Sequence, residues 1–372
     1  MKLLPDGSDI PQDLLTAQEK GEVLFICGAG VSMTLGLPSF RGLVEAVYAA
    51  LGENWQIHPA ENEVMKENGQ LAGQYDRGLR FLERRLTATG KVHASGLRAR
   101  LRAAVRANLQ PPEGRDVDLS VHAALLELSR DSESSVRLVT TNFDTLFERA
   151  WPRIGAAPSF AGAAMPQPKT AACTGVLHVH GRLSDDTLGL AETDLVLTSA
   201  EFGDAYLRSG WASRYVYDLV RAYTVVLVGY RADDPPMRYL LEVLEADRER
   251  YADLQKVYAF AEIDGDASLT KALWEGKGVV PILHDTVGTD YGPLYRTILE
   301  WRTYAADPTA WRRERLRELF AADPSASVVT VERVTELLRH GDASLLLSEL
   351  VPQAAWLSLL RQQRIFDNGA TS

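Results

Sequence analysis

The sequence predicts an α/β protein built on a parallel β-sheet, and three observations support this prediction. Short apolar runs, typical of strands buried on both faces, occur at residues 23–27, 135–141 and 224–228. Each run ends at a glycine or at a small polar motif. Amphipathic helical patterns separate the runs, as the crossovers between parallel strands require. We therefore expect a Rossmann-like parallel sheet.

The length of the chain and the distribution of strand-like and helical runs predict its domains. Its 372 residues can hold one large α/β domain and an accessory piece. We predict a catalytic domain over residues 1–305, with a helical insertion at about 53–130 where no run looks like a strand. Residues 306–372 read as short helices with apolar faces separated by prolines. That C-terminal region could pack on the core, drive self-assembly or dock a partner.

Composition excludes several classes of function. The net charge is -10 and the pI is about 5.3, so we expect neither direct nucleic-acid binding nor a basic membrane surface. No apolar run approaches the roughly 20 residues that a membrane helix needs. Cys27 and Cys173 are the only cysteines, which favours a reducing, cytoplasmic location. Two thiols also cannot form a four-cysteine zinc site unless His or carboxylate ligands replace the missing cysteines, and we expect no metal and no zinc module.

The first motif follows the first apolar run and reads VLFICGAGVSMTLGLPSFR, from Val23 to Arg41. Glycines directly after a buried strand let the backbone turn tightly and approach a diphosphate. The next helix would offer its N-terminal N–H groups to the anion, and Ser32 adds a hydroxyl. The spacing departs from G-x-G-x-x-G, because Thr34 stands where the third glycine would be. A tight turn without a ligand is the alternative.

The second motif is TTNFD, at the end of the run 135–141. Ligands of parallel sheets bind at the carboxyl ends of the strands, so Asn142 and Asp144 are placed to meet the same ligand as the glycine loop. Alternatively, Asn142 caps a helix and Asp144 complements its dipole.

A third motif, VLHVHG, contains two alternating histidines. Strand alternation would direct His178 and His180 to the same side, where they could chelate a metal. A neutral imidazole can also accept a proton at neutral pH, so His180 could instead act as a base. A buried histidine that caps a turn remains open.

The fourth motif is TVVLVGYRADDPP, in which Gly229 ends an apolar strand. Tyr230 and Arg231 could meet a ribose or a phosphate. Asp233 and Asp234 could equally cap the helix that follows.

Together these four motifs resemble, in type and order, those of the sirtuin family over about residues 20–305. GAGVS with GLPSFR resembles its dinucleotide loop, TTNFD its T-x-N-(I/F)-D motif, and VHG its catalytic histidine. The segment after His180, where sirtuins carry a zinc module, contains no cysteine. This departure puts an acyl-lysine substrate in doubt.

The resemblance implies binding of NAD and cleavage of its nicotinamide–ribose bond. Asn142 would then orient the ribose and the attacking water, His180 would accept a proton, and Asp144 would line the nicotinamide pocket. Arg41 would lie over the loop that closes on the dinucleotide. The remaining residues that would contact NAD are Gly28, Ala29, Gly30, Ser32, Phe40, Gly229 and Tyr230.

Without zinc, the chain looks most like the bacterial branch that hydrolyses NAD itself, often as an antiphage defence effector. The resemblance implies a homo-oligomer and a regulatory partner, such as a DNA-translocating ATPase or another defence sensor. The alternatives are an NAD-dependent protein deacylase or ADP-ribosyltransferase, and a non-catalytic dinucleotide sensor.

Overall fold

The structure is a computed structural model. It describes residues 1–67, 73–88, 90, 93–110, 117–151, 157–232, 235–248, 250–251, 254–286, 291–324, 327–339, 343–350 and 352–362.

A seven-stranded parallel sheet forms the centre of the molecule and confirms the predicted fold class. Its strands are β1 (Val23–Cys27), β2 (Arg137–Thr140), β3 (Ser159–Ala161), β4 (Gly175–His178), β5 (Thr224–Val228), β6 (Val257–Glu262) and β7 (Val280–His284). The order across the sheet is β3-β4-β2-β1-β5-β6-β7, and every neighbouring pair is parallel. The chain moves from β1 to one side and returns to its other side with β5. β1 therefore lies at the topological switch point.

Helices cover both faces of this sheet. They are α1 (Gln12–Glu19), α2 (Ala29–Met33), α3 (Phe40–Ala50), α4 (Pro59–Met65), α5 (Tyr75–Ala88), α6 (Ala94–Asn108), α7 (Ser120–Leu128), α8 (Leu146–Arg149), α9 (Ser199–Gly203), α10 (Trp211–Ala222), α11 (Pro235–Arg248), α12 (Ala267–Glu275), α13 (Gly292–Ala306), α14 (Pro308–Phe320), α15 (Val328–Leu337), α16 (Ala343–Leu350) and α17 (Ala354–Gln362). A π-helical turn, Asp204–Arg208, follows α9.

Alternate residues of β1 enter two different hydrophobic clusters, because successive strand side chains point to opposite faces. Phe25 packs in the first cluster, where its ring centroid lies 5.6 Å from that of Trp301 on α13. Leu24 and Ile26 pack in the second cluster, together with residues of α10 and α11. All five residues of β1 are buried, which explains the continuous apolar run in the sequence.

Within the described residues of the predicted insertion, the regular elements are helices, namely α4 to α7 and a short 3₁₀ turn at Trp55–Ile57. Helices α3 to α6 form a third hydrophobic cluster, which also contains Phe143 and Leu183 from the loops after β2 and β4. Arg102 of α6 pairs with Asp194 at 2.8 Å, and Arg106 pairs with Glu192. The pairs join the insertion to the loop that follows β4.

The C-terminal helices pack against the sheet domain. Trp311 and Trp356 belong to the same cluster as Phe25 and Trp301, and the indole N–H of Trp356 donates to the carbonyl of Ala322 at 2.8 Å. The structure thus answers the packing question left open by the sequence. The boundary at residue 305 remains a prediction.

The sequence analysis did not identify the strand β3. β3 is only three residues long and pairs with β4 at the edge of the sheet. A segment this short shows no measurable alternation. Among the helices that the structure describes, none combines the length and the apolar character that crossing a bilayer requires.

Candidate active site

The carboxyl ends of β1, β2, β4 and β5 bring the sequence motifs together. Gly28 follows β1, Asn142 lies two residues beyond the end of β2, His180 lies two residues beyond the end of β4, and Gly229 follows β5. These strands are neighbours in the sheet, with β1 at the switch point. The crevice outside such strand ends is where open α/β sheets bind ligands.

The glycine loops after β1 and β5 lock into each other. The Gly30 amide donates to the Gly229 carbonyl at 3.0 Å, and the Gly28 amide donates to the Val228 carbonyl at 2.9 Å. A Cβ on Gly30 would lie 2.6 Å from the Gly229 Cα. Gly229 itself has φ +60°, a conformation that favours glycine. The glycines therefore serve the approach of one loop to the other, a use that the sequence analysis did not foresee.

We expect Gly30→Ala to destabilise the fold by roughly 1–3 kcal/mol, because the added methyl group collides with main-chain atoms of the facing loop. The matched control is Gly203→Ala. Gly203 has helical φ and ψ of -59° and -34°, with no atom within 4 Å of the new Cβ. This control should be neutral or stabilising, by up to about 1 kcal/mol. Urea unfolding of both variants measures the difference, and equal stabilities would contradict the interlocked loops.

Ser32 is the centre of a buried hydrogen-bond network. The Asn142 side chain donates through Nδ2 to Ser32 Oγ at 3.1 Å and to the Gly28 carbonyl at 3.2 Å. Ser32 Oγ donates to Asp144 Oδ2 at 3.0 Å. Burial raises the pKa of the Asp144 carboxyl. The network ties the TTNFD motif directly to the glycine loop, as the two sequence motifs together suggested.

His122 also reaches this network and was missed in the sequence. Its Nε2 lies 3.5 Å from Ser32 Oγ, its ring packs against Phe147, and its Nδ1 is buried without a hydrogen-bond partner. Burial lowers its pKa to about 4. Its position in the sequence could have indicated burial, because His122 stands four residues before Leu126, on the apolar face of α7.

His180 is buried in an aromatic pocket. Its Nε2 lies 2.9 Å from the hydroxyl of Tyr206, and its ring centroid lies 5.0 Å from that of Phe202. Burial lowers its pKa to about 4, which outweighs a hydrogen bond with the Thr141 backbone. With a pKa this low, the ring is uncharged at neutral pH.

Tyr206 lies in the π-helical turn Asp204–Arg208. Such turns are rare and occur often at functional sites. Nothing in the sequence distinguished Tyr206 from the other aromatic residues of its segment, because its importance comes from its contact with His180.

The two buried histidines predict a loss of stability in acid. Both have a pKa of about 4 in the folded chain and an ordinary value of 6.5. Between these values the unfolded chain binds more protons, so stability falls as the pH falls. From pH 7 to pH 5 each imidazole should cost about 2 kcal/mol. Urea unfolding at both pH values tests this, and His122→Gln should remove about one histidine's share of the difference. An unchanged pH dependence in His122→Gln would contradict the assignment.

The other predicted contact residues lie around the glycine loops. Phe40 begins α3, and its ring meets that of Tyr75 edge to face, with centroids 6.4 Å apart. Arg41 is exposed and pairs with Glu45 at 3.0 Å and with Glu67 at 2.7 Å. Tyr230 packs against the second cluster. Asp233 and Asp234 lie outside the described residues.

The two histidines of VLHVHG have different surroundings. β4 ends at His178, so strand alternation no longer governs His180. His178 contacts the Asn142 carbonyl and Glu148, whereas His180 contacts Tyr206. Within the part of the chain that the structure describes, no three His, Cys, Asp or Glu side chains converge as metal ligands do.

A surface depression of about 440 Å³ lies elsewhere. It is lined by Lys169, Arg221 and Ala222, among others. Ala222 ends α10 directly before β5, which places this depression at the amino edge of the sheet. It is therefore separate from the residues at the carboxyl edge.

Comparison with known proteins gives a match to a family described as SIR2-like domain, over residues 136–282. Protein y4cA of Sinorhizobium fredii (strain NBRC 101917 / NGR234) is 42% identical over 331 residues, which cover 87% of this chain. The chain spans only 26% of that relative's length.

Two solved structures show a remote overall similarity. A Sir2 enzyme studied for its mechanism and regulation has 14% identity and a TM-score of 0.40, covering 81% of this chain and 100% of that one. A Sir2 homologue in complex with NAD has 18% identity and a TM-score of 0.39, covering 83% and 98%.

The family match covers three of the four motifs. Asn142, His180 and Gly229 lie inside residues 136–282, while the glycine loop after β1 lies before them. From the start of β2 into β7, the chain is therefore similar to the SIR2-like domain family.

Proposed function

We propose that the chain is an NAD⁺ hydrolase that cleaves the nicotinamide–ribose bond to give nicotinamide and ADP-ribose. The observation that carries this proposal is the placement of the Asn142 amide and the uncharged His180 ring at the carboxyl ends of adjacent strands, beside the glycine loop. This pairing offers a polar group that can orient a water and a base that can take its proton.

The proposed reaction breaks the bond between ribose C1′ and the nicotinamide nitrogen. The bonding electrons leave with nicotinamide and neutralise its pyridinium, so positive charge develops on the ribose. Water held by Asn142 attacks C1′, and its proton passes to His180 and then to solvent. The raised pKa of Asp144 suits a group that meets the neutral carboxamide of nicotinamide.

The glycine loop limits how the diphosphate is held. The amides of Gly28 and Gly30, and that of Val31, already donate within the protein. Ala29 lies in the first turn of α2, where an amide has no intrahelical acceptor. The Ser32 hydroxyl is likewise engaged, with Asn142 and Asp144. We propose that the Ala29 amide makes the loop's contact with NAD, and that Arg41 exchanges a glutamate partner for phosphate.

Product analysis tests the proposal. Purified chain is incubated with NAD, and nicotinamide, ADP-ribose and cyclic products are resolved. We expect nicotinamide and ADP-ribose in equal amounts without any acceptor. Turnover only with an added acyl-lysine peptide or a protein acceptor would replace hydrolysis by deacylation or ADP-ribosylation. Saturable binding without turnover would indicate a dinucleotide sensor.

We further propose that the activity depletes NAD in an antiphage response inside the cytoplasm. This role rests on the resemblance of the motifs to the bacterial NAD-hydrolysing branch. It entails control by self-association or by a partner such as a DNA-translocating ATPase. Cellular NAD measured during phage infection, with and without the His180→Ala variant, tests the role. Unchanged NAD in infected cells would contradict it.

A further inference from the structure

His178 and Glu148 form a buried pair that the proposed reaction leaves unused. His178 is 0% exposed and Glu148 is 3% exposed. One ring nitrogen of His178, Nδ1, lies 2.9 Å from the main-chain carbonyl oxygen of Asn142. The other, Nε2, lies 2.8 Å from Glu148 Oε1. The pair therefore contacts the main chain of the residue that we place in the reaction.

The positions of the hydrogens define which atom donates in each of these contacts. A carbonyl oxygen only accepts, so Nδ1 of His178 carries a hydrogen and donates to Asn142. A second hydrogen lies between Nε2 and Glu148. Burial alone would raise the pKa of Glu148, yet the neighbouring His178, with hydrogen bonds from His178 and Ser159, holds it below its usual value. Nδ1 of His178 is thus the donor to Asn142, and Nε2 shares a hydrogen with Glu148.

Further donors hold the carboxylate in place. Ser159 Oγ of β3 donates to Glu148 Oε1 at 2.5 Å. The Arg182 guanidinium donates to Ser159 Oγ, and through Nη2 to the Ala191 carbonyl at 3.1 Å. Hydrogen bonds thus connect Arg182, in the loop after β4, through Ser159 of β3 to Glu148 of α8. From Glu148 they continue through His178 to Asn142.

We propose that His178 and Glu148 are positioning residues, which hold the main chain of Asn142 so that its side chain faces the glycine loop. This inference rests on the proposed role of Asn142. Burying an ion pair is costly, and well-packed apolar residues often give equal or greater stability. A stability role alone therefore does not account for the pair. Its contact with the Asn142 carbonyl does.

Two variants that differ only at residue 178 test the proposal. Glu148→Gln removes the charge but leaves a neutral His178 able to donate to Asn142. The double variant His178→Phe with Glu148→Gln removes that donor without leaving a lone buried carboxylate. Relative to Glu148→Gln, the double variant should lose about 10- to 100-fold in kcat, with the NAD dissociation constant changed less than about threefold.

Asp131→Asn is the matched control, at the other end of the same segment. Asp131 accepts from Arg137, and both side chains are largely buried at the amino end of β2. Its kcat should stay close to that of the native chain. His178→Asn tests rescue, since its amide can replace Nδ1 as donor. The proposal would be overturned if Glu148→Gln and the double variant had the same kcat. It would also be overturned if Asp131→Asn lost as much kcat as the double variant.

A spectroscopic measurement separates this inference from the proposed activity. Phe follows Asn only once in the sequence, at Asn142 and Phe143. Labelling Asn carbonyls with ¹³C and Phe amides with ¹⁵N therefore gives one signal for this peptide group. The double variant should shift that carbonyl resonance, whereas Glu148→Gln should largely keep it and Asp131→Asn should leave it in place. A native chain that fails to turn over NAD would refute hydrolysis alone. An unmoved resonance would refute the positioning role.

Discussion

Replacing His180 by alanine is expected to lower kcat for nicotinamide release by about 10²- to 10⁴-fold, the usual contribution of a general base. The expectation follows from its position beyond β4 and from its uncharged state at neutral pH. Because its pKa is about 4, the acid limb of kcat/KM should fall near pH 4 and not near 6.5. Rates of nicotinamide release across this range measure both effects.

Tyr206→Phe is the matched control for His180. It keeps the ring that stacks on Phe202, with centroids 6.0 Å apart, and removes only the hydroxyl on Nε2. A neutral base remains, so activity should stay within about tenfold of the native chain. If Tyr206→Phe lost as much activity as His180→Ala, this would indicate that the proton passes through Tyr206. Full activity of His180→Ala would show that His180 is not the base.

Replacing Asn142 by alanine should lower kcat by about 10²- to 10³-fold, comparable to the loss of one preorganised polar group in other active sites. The change removes the amide that donates to Ser32 and to the Gly28 carbonyl. NAD binding should weaken far less than turnover, because the main contribution is to the charge and water of the transition state. Steady-state kinetics and calorimetric binding separate the two quantities.

The control for Asn142 is Thr145→Val. Thr145 is buried three residues away and donates to Asp185 at 2.8 Å, outside the Ser32 network. Asp185 keeps its bond from Arg149. Near-native turnover in Thr145→Val, beside the large loss in Asn142→Ala, would place the effect at the amide. Similar losses in both would mean that the segment is merely sensitive to distortion.

Sequence reasoning assigned the motif residues to one edge of the sheet because each motif follows a buried strand. Gly28, Asn142 and Gly229 could be assigned to one edge of the sheet from the rule that parallel strands end together. The direct contact of Asn142 with Ser32, 110 residues apart, agrees with that assignment. The proposed catalytic roles of these residues remain predictions.

The parts that sequence reasoning missed depend on contacts between distant segments. His122 reaches Ser32 from α7, and Tyr206 reaches His180 from a π-helical turn. Neither residue stands in a motif, and residue type alone does not show which buried partner it meets. Likewise, the sequence analysis explained Gly30 by the close approach of a ligand. In the structure, a Cβ at this position would collide with Gly229, about two hundred residues further along the chain.

The interlocked glycine loops also constrain the order in which the chain can fold. The loop after β1 is made early in synthesis, but its partner loop follows β5, at Gly229. Contacts so distant in sequence form slowly, because a long loop must close before they contribute any stability. The candidate site should therefore be absent from nascent chains that end before Gly229. Under the proposed function, a cell would thus carry no fragment that hydrolyses NAD while the protein is still being made.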